Sequence, residues 1–129
     1  MARLFIGIAA LSGFFAVALG AFGAHALRGS LDAYSLGVFE TAVDYHFFHS
    51  LALLGVGLLC QSARGADALL TASGTLFAAG ILIFSGSLYL LAISGLRWLG
   101  AITPVGGVCF LLGWVALFVW AMRRSPADD

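Results

Sequence analysis

Hydrophobic residues form four long runs along the chain, each close to the length that a helix needs to cross a lipid bilayer. A hydrocarbon core about 30 Å thick requires about 20 apolar residues in a helix. Charged and turn-forming residues gather between the runs, at positions that we assign to the membrane surfaces. The runs are residues 4–24, 41–60, 69–93 and 102–122. The pattern predicts an all-α, polytopic integral membrane protein: an up-and-down four-helix bundle with both termini on the same side.

The composition supports a membrane protein and excludes some classes of function. Of 129 residues, 62% are hydrophobic and 9% are charged, which lies outside the range of soluble proteins. All six basic residues are arginines and six acidic residues balance them, so the chain has no basic patch and we exclude nucleic-acid binding. We expect a single membrane domain, residues 1–129. Cys60 and Cys109 lack the spacing of a zinc site or a covalent haem site.

The distribution of arginines predicts the orientation in a plasma membrane. Along an up-and-down path, Arg3, Arg64, Arg123 and Arg124 share one side, whereas Arg28 and Arg97 share the other. The side richer in arginine faces the cytoplasm. We therefore expect both termini in the cytoplasm, in the manner of a bacterial inner-membrane protein. The first run imitates a secretory signal, but it is longer than the usual signal core, and we expect it to be retained as a helix.

Small residues recur at four-residue spacing on two of the predicted helices. Lipid gives helices little hydrophobic reason to associate, so close approach of backbones must supply the packing. The recurring residues are Ala9 with Gly13, then Ala16 with Gly20 and Ala24, and Gly74 with Ala78. They predict a bundle with close helix crossings.

Polar residues inside the predicted spans concentrate toward one membrane surface, which we expect to be the outer one. On the second span, two carboxylates, a tyrosine and a histidine occupy about half of the helix circumference at 100° per residue, whereas His46 projects to the other side. The up-and-down path brings polar residues of the other spans to the same level. The predicted polar cluster comprises His25, Glu40, Asp44, Tyr45, His49, Ser85, Ser87, Tyr89 and Thr103.

Two functions for this cluster stay open. Ionisable groups at membrane depth cost a few kcal/mol each to insert, which makes them functional candidates by default, and a small transporter or channel would bind an ion, proton or ligand there. The same groups would also serve as an internal hydrogen-bond network that fixes the helix register. The sequence carries no sizeable loop, cofactor motif or polar path through the membrane. We therefore favour a non-enzymatic component that packs against itself, membrane lipid or a larger complex.

The sequence gives weaker support to a metal site, a haem site or a proton relay among these residues. His46 and His49 could share a metal ion with Asp44, since imidazole and carboxylate suit zinc or iron. A haem between His25 and a histidine of the second span would need both at one depth. A proton relay through Asp44, His49 and Tyr89 would use the side chain that titrates near neutrality, but the polar layer stops halfway. We expect no metal, no cofactor and no catalytic residue.

Four ordered motifs cover most of the chain. They are GAFGAH at residues 20–25, TAVDYHFFH at 41–49, FSGSLY at 84–89 and ITPVGG at 102–107, followed by Gly113-Trp114. Together they resemble the small membrane proteins catalogued as domain-of-unknown-function family 423. The resemblance implies a four-helix membrane protein that is widespread in bacteria and has relatives in animals. It implies no activity, ligand or catalytic residue.

Overall fold

The computed structural model of the chain describes residues 1–63 and 67–123, and within these ranges it contains four long helices and no strand. Each helix is long and apolar enough to cross a membrane. They are α1 (Ala2–Leu27), α2 (Ala33–Ser62), α3 (Ala68–Ser94) and α4 (Arg97–Arg123). The predicted all-α fold with four membrane-spanning helices is confirmed. The predicted turn residues Arg64 and Gly65, and the polar tail from Arg124 onward, lie outside the described residues.

Three of the helices depart from regular α geometry. The last residues of α1, Gly23–Leu27, and the middle of α3, Ile81–Ser85, are π-helical, and α4 opens with a 3₁₀ turn at Arg97–Ala101. A π-helical turn carries one extra residue, is rare, and frequently occurs at functional sites. The π-helical segment of α3 is therefore a candidate position for a site in the bundle.

Capping residues set the helix ends. Asp32 starts α2 eight residues ahead of the predicted span, because its Oδ1 accepts a hydrogen bond of 2.7 Å from the backbone N–H of Ser35. This bond is the main reason that the pKa of the Asp32 carboxyl lies below its usual range. Asp67 caps α3 in the same manner. Gly95 ends α3 at φ +70°, a left-handed conformation that favours glycine.

The helices pack as two antiparallel pairs, α1 with α2 and α3 with α4, and α2 and α3 join the pairs. Aromatic rings cover glycines of neighbouring helices. Phe39 of α2 lies on Gly23 of α1, whereas the Phe5 ring of α1 lies on Gly74 of α3 and Ile6 is the residue nearest to Gly57. The second pair is reciprocal: Phe77 lies on Gly113 and Phe110 lies on Gly80.

The close crossings confirm the packing role of small residues in part. Ala9, Ala16 and Gly74 are buried, whereas a Cβ added at Gly13 would meet nothing within 4 Å. The tightest approach is between Gly106 of α4 and the backbone of Phe84 in the π-helical segment, where an added Cβ would lie 2.3 Å from the Phe84 nitrogen. The interhelical core consists of Phe5, Ala9, Leu53, Val56, Leu70, Phe77, Ile81, Phe110 and Trp120.

Candidate functional site

A chain of hydrogen bonds through His46 joins three helices near the middle of the bundle. The His46 ring is 7% exposed. Its Nδ1 lies 3.1 Å from the Tyr89 hydroxyl on α3, and its Nε2 lies 3.0 Å from the Ser12 hydroxyl on α1. Ser12 Oγ lies 2.6 Å from Ser50 Oγ, and Ser50 donates back to the His46 carbonyl at 2.7 Å. We call Ser12, His46, Ser50 and Tyr89 the His46 network.

The direction of every bond in the His46 network follows from its last acceptor. A hydroxyl has one proton, and Ser50 gives its proton to a carbonyl, which only accepts. Ser12 must then donate to Ser50, and His46 Nε2 must donate to Ser12. In the neutral ring Nδ1 is consequently the acceptor, so Tyr89 donates to it. The groups of the network that can still form a hydrogen bond are acceptor lone pairs on the Tyr89, Ser12 and Ser50 hydroxyls.

His49 is held in one tautomer by two partners of fixed polarity. Its Nδ1 lies 2.9 Å from the Tyr45 carbonyl, and its Nε2 accepts a bond of 3.2 Å from the Trp114 indole of α4. A carbonyl only accepts and an indole N–H only donates, so the ring is neutral with the proton on Nδ1. The ring also stacks on Phe110 at a centroid distance of 3.5 Å. His49 fastens α2 to α4.

Two serines of the predicted cluster on α3 have different surroundings. Ser87 lies 2.7 Å from the Thr103 hydroxyl on α4 and donates to the Phe84 carbonyl. Ser85, in the π-helical segment, is 1% exposed, and its hydroxyl has no hydrogen-bond partner in the described part of the chain. The structure thus joins two members of the predicted cluster, Ser87 and Thr103, and leaves Ser85 outside the networks.

Three charged or ionisable residues of the predicted cluster do not join the buried histidines. The side chains of His25, Glu40 and Asp44 are exposed, so the interior position predicted for Asp44 is wrong. Tyr45 is also 42% exposed, and it enters the site through its carbonyl and through its ring, which lies 4.5 Å from that of Phe84. The polar face predicted for α2 is therefore directed away from the other helices between Glu40 and Tyr45.

His46 was predicted to project to the other side of the helix from His49, and this prediction is wrong because both histidines are buried. The buried face of α2 carries Phe39, Ala42, His46, His49, Leu53 and Val56. These positions alternate steps of three and four residues, which is the spacing of a helix seam. That spacing was readable from the sequence and placed both histidines inside.

Ser12 and Trp114 were missed because each stands alone within an apolar run, and Ser50 was missed although it directly follows His49. Serines in membrane spans commonly pack as small residues, so the presence of a serine does not by itself indicate a hydrogen-bonded site. The polar layer is also not confined to one leaflet: Ser73, near the start of α3, donates to the Gly113 carbonyl at 2.9 Å. The buried polar side chains therefore extend deeper into the bundle than we predicted.

The histidines do not share a metal ion. No group of three His, Cys, Asp or Glu side chains is close enough to hold one anywhere in residues 1–63 and 67–123. His46 turns toward α1 and α3 while His49 turns toward α4, and hydrogen bonds occupy all four ring nitrogens. The hypothesis of a metal held by His46, His49 and Asp44 is contradicted by this geometry.

Two lipid-facing grooves flank the histidines. One groove, of about 450 Å³, runs between α1 and α3, and we call it the α1/α3 groove. Its lining is almost wholly apolar except for Ser12, His46 and Tyr89. The second groove lies between α2 and α4, also has a volume of about 450 Å³, and is lined by Tyr45, His49 and Trp114 among apolar residues.

Comparison with known proteins gives a family but no chemistry. The family model described as Protein of unknown function (DUF423) matches residues 19–107. The UPF0382 membrane protein YwdK of Bacillus subtilis is 44% identical over 121 residues, which cover 94% of this chain and 98% of that protein. The UPF0382 inner membrane protein YgdD of Escherichia coli K12 is 46% identical over 94% of this chain and 91% of that protein. No solved structure matches the chain.

Proposed function

Since the chain belongs to the family described as Protein of unknown function (DUF423), and its relatives are named membrane proteins, we propose a non-enzymatic role in the membrane. In this role the protein is a small component that packs against itself or against a larger membrane complex. The observation that carries the proposal is that both buried histidines commit both ring nitrogens to groups on their own or neighbouring helices. Such bonds stabilise the bundle.

The polarity of the Ser12–His46 pair supports a non-enzymatic role. A catalytic serine donates its proton to a histidine that acts as base. Here the imidazole donates to Ser12, because Ser12 passes its proton on to Ser50. Ser12 and His46 are thus as far apart as a nucleophile and its base, but the histidine donates the hydrogen bond and the serine accepts it.

The proposed role is tested by reconstituting the purified protein in liposomes loaded with a pH-sensitive dye. We expect proton and solute fluxes equal to those of empty liposomes. In parallel, crosslinking in native membranes should yield a product of fixed stoichiometry, either with a second copy or with another membrane protein. Flux above that of empty liposomes, or a protein that stays monomeric and uncrosslinked in native membranes, would contradict the proposal.

The rival function is a small transporter or channel, and one observation favours it. The His46 network is a directed chain of four bonds near mid-membrane, and chains of this kind conduct protons when their donors reverse. Asp44→Asn and His46→Phe test this function in cells and in liposomes. If both variants leave every growth and flux phenotype intact, the transporter hypothesis fails.

For orientation, we propose that both termini face the cytoplasm. Four crossings return the chain to its starting side, and that side carries Arg3, Arg64, Arg123 and Arg124 against Arg28 and Arg97 on the other. A carboxy-terminal fusion to green fluorescent protein should fluoresce, and one to alkaline phosphatase should be inactive. Active phosphatase at the carboxy terminus would invert the assignment.

A further inference from the structure

We propose that the α1/α3 groove binds a neutral lipid whose single polar group is a hydroxyl. This inference is independent of the non-enzymatic role proposed above. It rests on the size of the groove, its depth in the membrane, and the direction of the hydrogen bonds that reach it.

The groove has the size and lining of a site for an apolar molecule. Its volume of about 450 Å³ lies within the range of about 300–1,000 Å³ found for small-molecule sites. Leu11, Phe15 and Leu82 supply apolar wall. The π-helical segment of α3 forms one side of the groove through Ile81 and Leu82, and Gly86 continues it. A Cβ added at Gly86 would meet nothing within 4 Å, so the groove is open at that point.

Two of the three polar residues of the groove lie well below the level of phospholipid headgroups. At 1.5 Å per residue, Ser12 is about 15 Å from the amino-terminal end of α1 and His46 is about 20 Å from that of α2, whereas Tyr89 is about 8 Å from the carboxy-terminal end of α3. The middle of a bilayer is about 15 Å from either edge of the hydrocarbon core. A ligand that meets Ser12 must therefore carry its polar group into the apolar region, where a charged headgroup is costly.

The His46 network decides which polar group fits. All its donor protons are committed within the network, whereas Tyr89 and Ser12 keep acceptor lone pairs and both residues line the groove. A ligand with a hydroxyl donates to such an oxygen and satisfies its own polar group in a medium without water. An ether or ester has no proton to donate and leaves its oxygen unpaired. The groove should consequently discriminate a long-chain alcohol from its methyl ether.

The experiment uses proteoliposomes containing the full chain and two photoreactive probes, a diazirine-bearing hexadecanol and its methyl ether. We expect the alcohol to label groove residues about fivefold more than the ether, because a net hydrogen bond of about 1 kcal/mol corresponds to that ratio. Excess unlabelled hexadecanol should abolish the difference. Equal labelling by alcohol and ether would overturn the proposal without any variant being made.

A matched pair of variants locates the binding. Gly86→Leu grows a side chain into the open groove, whereas Gly7→Leu adds the same side chain to α1 where an added Cβ also meets nothing within 4 Å and outside the groove. We expect Gly86→Leu to remove labelling of the groove by the alcohol and Gly7→Leu to preserve it. Labelling that survives Gly86→Leu would place the alcohol elsewhere and refute the site. Competition by farnesol, compared with competition by hexadecanol, then distinguishes an isoprenoid alcohol from a straight-chain alcohol.

Discussion

The crossing of α3 and α4 at Gly106 is the point where the structure tolerates an added methyl group least. In Gly106→Ala the new Cβ would lie 2.3 Å from the backbone nitrogen of Phe84 and 2.7 Å from its Cα. These are main-chain atoms, so no rotamer change relieves the contact, and the helices would have to separate by about 1 Å to reach ordinary van der Waals distance. Overpacking of this kind costs about 1–3 kcal/mol.

Gly107→Ala is the matched control. Its added Cβ would lie 3.8 Å from Phe84 Cδ2, which is ordinary contact, and both substitutions gain the same helix propensity of about 1 kcal/mol. We therefore expect Gly106→Ala to be less stable than Gly107→Ala by about 1–3 kcal/mol. The measurement is the free energy of unfolding in mixed micelles titrated with sodium dodecyl sulfate and followed by circular dichroism. Equal stability of the two variants would refute the proposed crossing.

A second comparison separates a clash with backbone from a clash with a side chain. A Cβ at Gly80 would lie 2.4 Å from Cδ1 of the Phe110 ring, so the cost of Gly80→Ala should largely disappear in a Phe110→Ala background. The cost of Gly106→Ala should persist in a Phe84→Ala background, because the nitrogen and Cα remain. If Phe84→Ala removes the cost of Gly106→Ala, the contact is not with the backbone.

Two further predictions concern a hydrogen bond between helices and a helix cap. Trp114→Phe should lower the free energy of unfolding by about 1–3 kcal/mol, because it leaves the buried His49 Nε2 without a hydrogen-bond donor. The control is Trp98→Phe, at a side chain that is 61% exposed, which should change the free energy of unfolding by less than about 0.5 kcal/mol. Equal losses in the two variants would argue against the bond from the indole to His49. The Asp32 carboxylate, whose pKa is lowered chiefly by the Ser35 N–H, stabilises the start of α2 above the ordinary pKa of 3.8, and this contribution is lost as the pH falls through the lowered value. Amide exchange at Ser35 should therefore accelerate in acid beyond its intrinsic pH dependence in the natural chain and not in Asp32→Asn, and identical pH profiles would contradict the cap.

The four spans were predictable because the hydrophobic signal is additive over about 20 residues and tolerates local errors. The observed helix bounds differ from the predicted spans where one capping residue sets a helix end. Asp32 caps the start of α2 well before the apolar run begins. The two π-helical segments carry no comparable signal, since GAHAL and ILIFS read as ordinary helix. Long-range features such as the contact of Gly106 with Phe84 depend on helix register, which local sequence does not specify.

The candidate site was predictable only in part, because residue type and residue position gave opposite indications. Charge drew attention to Glu40 and Asp44, yet both side chains are exposed. The seam spacing of α2 instead selects His46 and His49, in the company of Phe39, Leu53 and Val56. In this helix the spacing of the apolar residues is thus a better guide to the interior than polarity.

The partners of the two histidines decide which of them can take part in proton movement. His49 faces a carbonyl and an indole N–H, neither of which can reverse, so protonation of its Nε2 would break the bond to Trp114. His46 faces two hydroxyls. If Tyr89 rotates its proton away from Nδ1, both ring nitrogens can donate, and an imidazolium keeps both hydrogen bonds. Of the two buried histidines, His46 is therefore the one that can take up a proton and keep both hydrogen bonds. The transporter hypothesis is consequently tested more sharply by His46→Phe than by a substitution of His49, the histidine that the sequence placed in the proton relay.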